Sequence, residues 1–239
     1  MLEKFMHEWL YVSDYDVPVA NNGFDGRAKL NGVDLDVKYV ALVASTVGNK
    51  LPEWRLAFNL DKNKRVYVVR PDKENELLAN MPRNSCVGIG SRHFDLSGSI
   101  KEALLALMLT NKFDPIVHYT ELANMSAIVH SSLDYPVIRK KLSTIDEDTK
   151  STLWLYTKNQ LSMSSLAEIL MVHPKTVEYR LQKIKSVTDL DPHKGIDLLP
   201  LTVAYLKEKT ENLRILETEL QSFSDDMLPR DKTTSVSVS

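Results

Sequence analysis

The stretch SMSSLAEILMVHPKTVEYRLQKIKS, residues 162–186, constrains the chain more than any other. Leu166, Ala167, Ile169 and Leu170 form an apolar face on a short first helix, for which Ser164 or Ser165 is the expected N-cap. Ala167 is small where a second helix has to pass closely. Met171, Val172 and His173 make a turn. Pro174 suits the first turn of the next helix, where its missing N–H costs nothing. Val177, Leu181 and Ile184 then recur at spacings of four and three, which puts them on one buried face. Lys175, Thr176, Tyr179, Arg180, Gln182 and Lys183 are left on the other. Two short helices with a tight turn, the second presenting basic, hydroxyl and amide groups, form a helix-turn-helix able to hold phosphates and read base edges. The same spacing also occurs in α-bundles that bind nothing.

Charge does not decide between these readings. The chain of 239 residues carries a net charge of −2. Between residues 150 and 200, seven basic residues face five acidic ones. That local excess is mild, and a solvated surface explains it equally well. The length allows one large or two modest domains, and 43% hydrophobic with 26% charged residues is ordinary for a soluble protein. Cys86 is the single cysteine, so no disulfide within the chain and no multi-cysteine zinc site is possible. In the run SCVGIG it reads as a small core residue. The six histidines form no metal-ligand pattern. MLEKFMHEWL is too charged for a signal peptide, and no run approaches a membrane span, so a cytoplasmic protein is expected.

In chain order, residues 2–12 read as a docking helix, with Leu2, Phe5, Met6 and Leu10 at helical spacing and Trp9 beside them. Residues 13–36 read as a loop with one short element. Residues 37–45 form a buried strand, and 54–59 with 65–70 a hairpin around the polar turn at 60–64. Pro71 stops the second strand, and Asp72 is the expected cap of a short helix ending at Asn80. Residues 86–90 form another strand. Ser97 or Ser99 caps a helix over 100–109, and 115–119 form the last strand. That order implies an α+β sheet with helices on one face. Residues 123–148 are a connector, broken at Pro136. Asp146 or Asp148 caps a helix over 149–158. Asp189-Leu190-Asp191-Pro192 closes the second helix of the motif. Asp197 caps a long last helix that accepts Pro200 in its first turn. Residues 224–239 form a polar tail expected to be disordered.

Two stretches resemble one family. LAEILMVHPKTVEYRLQKIKSVTDLDP is similar to the C-terminal helix-turn-helix of PucR/CdaR-type bacterial transcription regulators. The matching residues are Ala167, Leu170, Val172, His173, Thr176, Val177, Tyr179, Arg180, Leu181 and Ile184. Thr188, Asp189, Leu190 and Asp191 match the following turn, with Asp189 in place of its Gly. Pro174 and Lys175 stand where the family usually has Arg and Asn, and Glu178 where it often has Arg. Glu beside a phosphate is repulsive, though it can accept from a cytosine amino group. VGIGSRHFDLSGSIKEALLALMLTNKFDPIVHYTEL resembles the degenerate GGDEF-like domain that precedes the motif in that family. Val87, Gly88, Ile89, Gly90, Ser91, Ser99, Ala103, Ala106, Leu107, Val117, Tyr119 and Leu122 carry that likeness. The likeness implies a GGDEF-like, ferredoxin-like domain over 1–123 and a helix-turn-helix domain over 149–223. The separate N-terminal sensor domain usual in the family is expected to be missing or to lie in another protein.

A diguanylate cyclase needs metal-binding carboxylates and a Gly-Gly-Asp/Glu-Glu-Phe run, and this sequence has no such run. Gly88-Ile89-Gly90 lacks the third glycine of a dinucleotide loop, so close backbone contact is the expected reason for these glycines. No catalytic residue, cofactor or metal is therefore expected. The sequence reads as a regulator of double-stranded DNA. Lys175, Lys183 and Lys185 would meet phosphates, and Thr176, Tyr179 and Arg180 would read or position. Ser164 and Ser165 would bring a backbone N–H to a phosphate. The alternatives are an interaction module that has lost DNA binding, or a nucleotide or small-molecule sensor on the GGDEF-like sheet. Leu199, Leu206, Leu213 and Leu220 recur every seven residues, with Leu216 and Phe223 beside them. That stripe predicts a homodimer through residues 213–223.

Overall fold

A computed structural model describes residues 2–14, 23–94, 96–159 and 162–225. The tail expected over 224–239 lies almost entirely outside the described residues. The chain is an α+β domain followed by an all-helical region, as the sequence implies.

The chain opens with α1 (Leu2–Asp14) and α2 (Phe24–Leu30). The sheet follows: β1 (Val40–Ser45), β2 (Ala57–Asn59), β3 (Lys64–Val69), β4 (Cys86–Ile89) and β5 (Ile116–His118), in spatial order β2-β3-β1-β4-β5. β2 and β3 form the expected hairpin, and β1 runs antiparallel to both β3 and β4. β4 and β5 are parallel, joined through α4 (Leu96–Met108).

Strand alternation divides the core. Ala41, Val43, Val66, Val68 and Val117 face α1 and α4. Val40, Leu42, Ala44, Tyr67, Val69, Val87 and Ile89 face the other way. That second face is covered by Leu77 and Leu78 of α3 (Glu74–Ala79) and by Leu51, Trp54 and Met81. Helices therefore lie on both faces, not on one. The second face is apolar throughout and could not be left in water. α1 docks as expected, burying Phe5, Met6, Trp9 and Leu10.

Two glycines fix how closely β4 and α4 approach. A Cβ on Gly88 would sit 2.1 Å from the Ala103 carbonyl oxygen, and one on Gly90 would sit 2.1 Å from that of Ser99. The Gly-x-Gly is thus a packing feature. Neither serine of α4 caps it. The helix starts at Leu96, and Ser97 and Ser99 are buried inside it. The Ser99 hydroxyl accepts from Ala41 N and donates to the Ser91 carbonyl, joining α4 to two strand ends. Asp72 caps nothing: a 3₁₀ turn at Pro71–Lys73 leads into α3 without a side-chain cap.

The remaining helices are α5 (Ala123–His130), α6 (Pro136–Leu142), α7 (Glu147–Asn159), α8 (Met163–Ile169), α9 (Pro174–Thr188), α10 (Gly195–Lys209) and α11 (Leu213–Asp225). The segment read as a connector is helical, and α6 packs on α9 and α10 as part of the helical unit. Trp154 and Tyr205 stack at 5.4 Å in the centre of that unit. Lys150, almost fully buried, bridges Glu147 and Glu208 at 2.6 and 2.5 Å and ties α7 to α10.

The long last helix is two helices, parted at Thr210. α10 begins at Gly195, so Asp197 lies in its first turn; its carboxylate accepts from Asp191 N and pins the preceding loop. α11 folds back onto α1 and α4. Leu213, Leu216 and Leu220 are buried there, and Phe223 stacks on Phe58 at 4.3 Å. The stripe expected to pair two chains is therefore consumed within one. Leu199, at the start of the repeat, stays half exposed.

Candidate nucleic-acid interface

The two helices of the motif are α8 and α9. α8 begins one residue after Ser162, whose hydroxyl accepts from Ser165 N at 3.2 Å. Ser162 is thus the N-cap, in place of Ser164 or Ser165. Both of those hydroxyls lie against it, at 3.0 and 2.9 Å. Leu166, Ala167 and Leu170 are buried, while Ile169 points outward.

The turn is sharp because Met171 adopts the left-handed conformation, φ +52°. His173 is the N-cap of α9, its Nδ1 accepting from Lys175 N at 3.2 Å, and Pro174 takes the first helical position. Val177, Leu181 and Ile184 are fully buried as the spacing requires. α9 ends at Asp189, φ +67°, where the family pattern has glycine. Aspartate is among the few residues that enter this region readily, and Lys141 meets its carboxylate at 2.6 Å.

The outward face differs from the one read off the sequence. Arg180 turns sideways: its side chain is 13% exposed and donates to Thr152 Oγ1 at 3.1 Å and Asp148 Oδ2 at 3.3 Å. Lys183 reaches Asp146 at 2.7 Å, and Lys185 reaches Asp191 at 2.8 Å. These hydrogen bonds raise both lysine pKa values. Asp146 also accepts from Thr149 N and Oγ1, making it the N-cap of α7. Partial burial opposes its charge, but the bonds from Lys183 and Thr149 outweigh that and hold its carboxyl well below the usual carboxylate range.

The ridge that does face solvent is Lys175, Glu178, Tyr179, Gln182, Lys185 and Ser186, with Thr176 half-buried at its flank. Tyr179 is 67% exposed. Gln182 donates to Glu178 at 2.9 Å, and His193 lies 3.6 Å from Glu178 across the loop. Lys175 and Lys194 have no ion pair among the described residues. The sequence reading offered Asp148 only as a helix cap and missed its pairing with Arg180, as it missed Thr152 and His193, because such long-range pairings have no signature in spacing. Ser162 was legible as a cap candidate only if the helix starts at Met163, three residues before its apolar pattern begins at Leu166.

Residues 150–206 match the family model of the PucR C-terminal helix-turn-helix domain. This part of the helical unit is similar to that domain. The matched residues run from the first turn of α7 to the end of the buried part of α10. Among curated proteins none matches the chain. A crystal structure of a regulator of polyketide synthase expression from Bifidobacterium adolescentis matches with 14% identity, over 88% of this chain and 93% of that one, at a TM-score of 0.38. The PucR-type domain points to a transcription regulator rather than an enzyme.

Elsewhere, Ser91 Oγ lies 3.0 Å from His93 Nε2, and Glu102 Oε1 lies 3.1 Å from the same nitrogen. A nucleophile triad needs the carboxylate on the other ring nitrogen, so this trio is not arranged as one. Among the described residues no group of histidine, cysteine and carboxylate side chains is placed to hold a metal, and no helix is long and apolar enough to cross a membrane. Cys86 is half-buried at the start of β4.

Proposed function

We propose that the chain is a sequence-specific regulator that binds double-stranded DNA with α9 in the major groove. The match of residues 150–206 to the PucR domain carries this reading, because α9 is the second helix of that motif. Its outward ridge supplies the chemistry. Lys175 stands at the start of the helix as a free cation for phosphate. Tyr179 and Gln182 are positioned for base edges or sugar, and Glu178 suits a cytosine amino group. Lys183 would exchange the half-exposed Asp146 for a phosphate, and Lys185 would leave Asp191, which keeps its bond from His193 N. Thr176, Ser164 and Ser165 sit at the flank, where hydroxyls meet backbone phosphates. Arg180 acts by positioning α9 against α7.

Binding as a dimer on half-sites about 34 Å apart suits such a motif. With the 213–223 stripe spent on α1 and α4, the contact between copies would use another surface. A DNA-binding role and a lone unpaired cysteine suit the cytoplasm. The residues around Gly88 and Gly90 support a GGDEF-like ancestry for the sheet domain.

Selection of binding sites from a random duplex pool, followed by salt titration, tests the proposal. Lys175→Ala should weaken all sequences alike and lower the salt slope by about one unit. Gln182→Ala or Glu178→Ala should instead relax one position, at about 1–3 kcal/mol. Absence of any enriched sequence together with absence of salt-dependent binding would leave an interaction module as the better reading. Sedimentation with and without the selected site reports the oligomeric state.

A further inference from the structure

A polar cavity of about 380 Å³ lies between the tip of the β2–β3 hairpin and the loop that follows β1. This is within the range of about 300–1,000 Å³ typical of small-molecule sites. None of its lining residues belongs to α9, and nothing in the DNA reading uses it. Four cationic side chains line it: Lys50, Lys62, Lys64 and Arg65. The one acid in its wall is Asp61.

Asp61 is already committed. Its Oδ1 accepts from Asn63 N at 2.6 Å and Lys64 N at 2.8 Å, and its Oδ2 takes the Lys64 ammonium. This carboxylate holds the hairpin turn in shape and offers little to an incoming cation. Behind the wall, Glu53 accepts from Arg65 at 2.7 Å and lies 3.2 Å from Lys50. Even counting Glu53, four positive charges face two negative ones. Lys62 has no ion pair among the described residues. Arg65 Nε is buried and has no hydrogen-bond partner. Gly48, at φ +78°, has open space where a side chain would project, so the loop backbone is accessible on that side.

We propose that this cavity binds a small polyphosphate-bearing anion, of the pyrophosphate or nucleoside-triphosphate class. Arg65 and Lys62 hold the phosphates, with Lys50 and Lys64 adding charge from either side. Glu53 competes with the anion for Arg65 and Lys50. The guanidinium fork matches phosphate geometry, whereas the lysines act as point charges.

Isothermal titration of the full chain with pyrophosphate, ATP and GTP, without DNA, tests this. The absence of DNA keeps its failure separate from any failure of the DNA reading. All three should bind. Equal affinities mean the bare polyphosphate is recognised, and tighter nucleotides mean the base is recognised too. Lys62→Ala, at an exposed and unpaired position, should weaken binding about tenfold, on the order of 1.4 kcal/mol. Glu53→Gln should tighten it by a similar factor, a gain that damage to the fold would not produce. Absence of binding by all three up to millimolar concentration overturns the proposal. So does binding that neither substitution changes.

Discussion

Met171 is the residue on which the motif's turn depends, and it is an unusual choice there. At φ +52° and 91% exposed, its side chain holds the left-handed conformation without packing in return. That conformation costs a non-glycine residue about 1–2 kcal/mol, part of which glycine would lose again through its freer unfolded chain. Met171→Gly should therefore stabilise the protein by about 0.5–1 kcal/mol, read as a higher denaturant midpoint with an unchanged slope. Asp189→Gly should gain less, because it also removes the carboxylate that Lys141 meets. Equal gains at both positions would show that the Lys141 contact contributes nothing. Asp146 behaves oppositely. Its folded carboxyl is held far below its ordinary value near 3.9, so its stabilisation is complete above about pH 5 and is lost as pH falls through the folded value. Asp146→Ala removes the N-cap of α7 and should cost about 0.5–2 kcal/mol at pH 7. The gap between the two proteins should narrow in acid; a gap independent of pH would show that the carboxylate's charge is not what stabilises the helix.

Elements were legible where one periodicity decided them. Val177, Leu181 and Ile184 specify the inner face of α9 without help from the rest of the chain. The apolar, β-branched run through Val40–Ser45, and the polar turn and Pro71 that bracket Lys64–Val69, likewise specify strands. Pro174 and Asp189 mark where α9 starts and ends. What spacing did not reveal was where amphipathic faces find their partners. Leu213, Leu216 and Leu220 were correctly placed on one stripe, but a stripe says only that something apolar covers it. The cover is α1, two hundred residues earlier, together with α4. Arg180 shows the same limit for a polar group: its position on the helix is set by sequence, but its direction is set by Asp148 and Thr152 on α7. This changes what the C-terminal helix should do. Leu220 is fully buried, so Leu220→Ala should cost about 2–5 kcal/mol in chemical denaturation, whatever the oligomeric state. A variant that loses only self-association, with its unfolding midpoint intact, would restore the stripe to an interface between chains.

At the scale of the molecule, the sheet domain and the helical unit are joined by charges that lead to α9. Lys158 on α7 meets Asp114 at 2.8 Å and Glu121 at 2.7 Å, beside either end of β5. Lys112, in the loop before β5, meets Asp148 Oδ1 at 2.6 Å, and Asp148 Oδ2 takes Arg180 of α9. Asp148 therefore stands between a cation of the sheet domain and a cation of α9, and it holds the second one away from the outward ridge. Removing that carboxylate frees a guanidinium beside a surface proposed to meet phosphates. Asp148→Ala should raise affinity for all DNA sequences alike and steepen the salt slope by about one unit, the signature of one added phosphate contact. Arg180→Ala should leave the slope at its parent value while lowering stability by about 1.5–3 kcal/mol, the range for a hydrogen bond to a charged group. Lys175→Ala, on the ridge itself, supplies the reference for a lost phosphate contact. If Arg180→Ala flattens the slope as Lys175→Ala does, Arg180 leaves Asp148 when DNA binds, and the inward geometry belongs to the free protein alone. If Asp148→Ala changes neither slope nor affinity, the charges between the domains hold the molecule together without reaching its DNA surface.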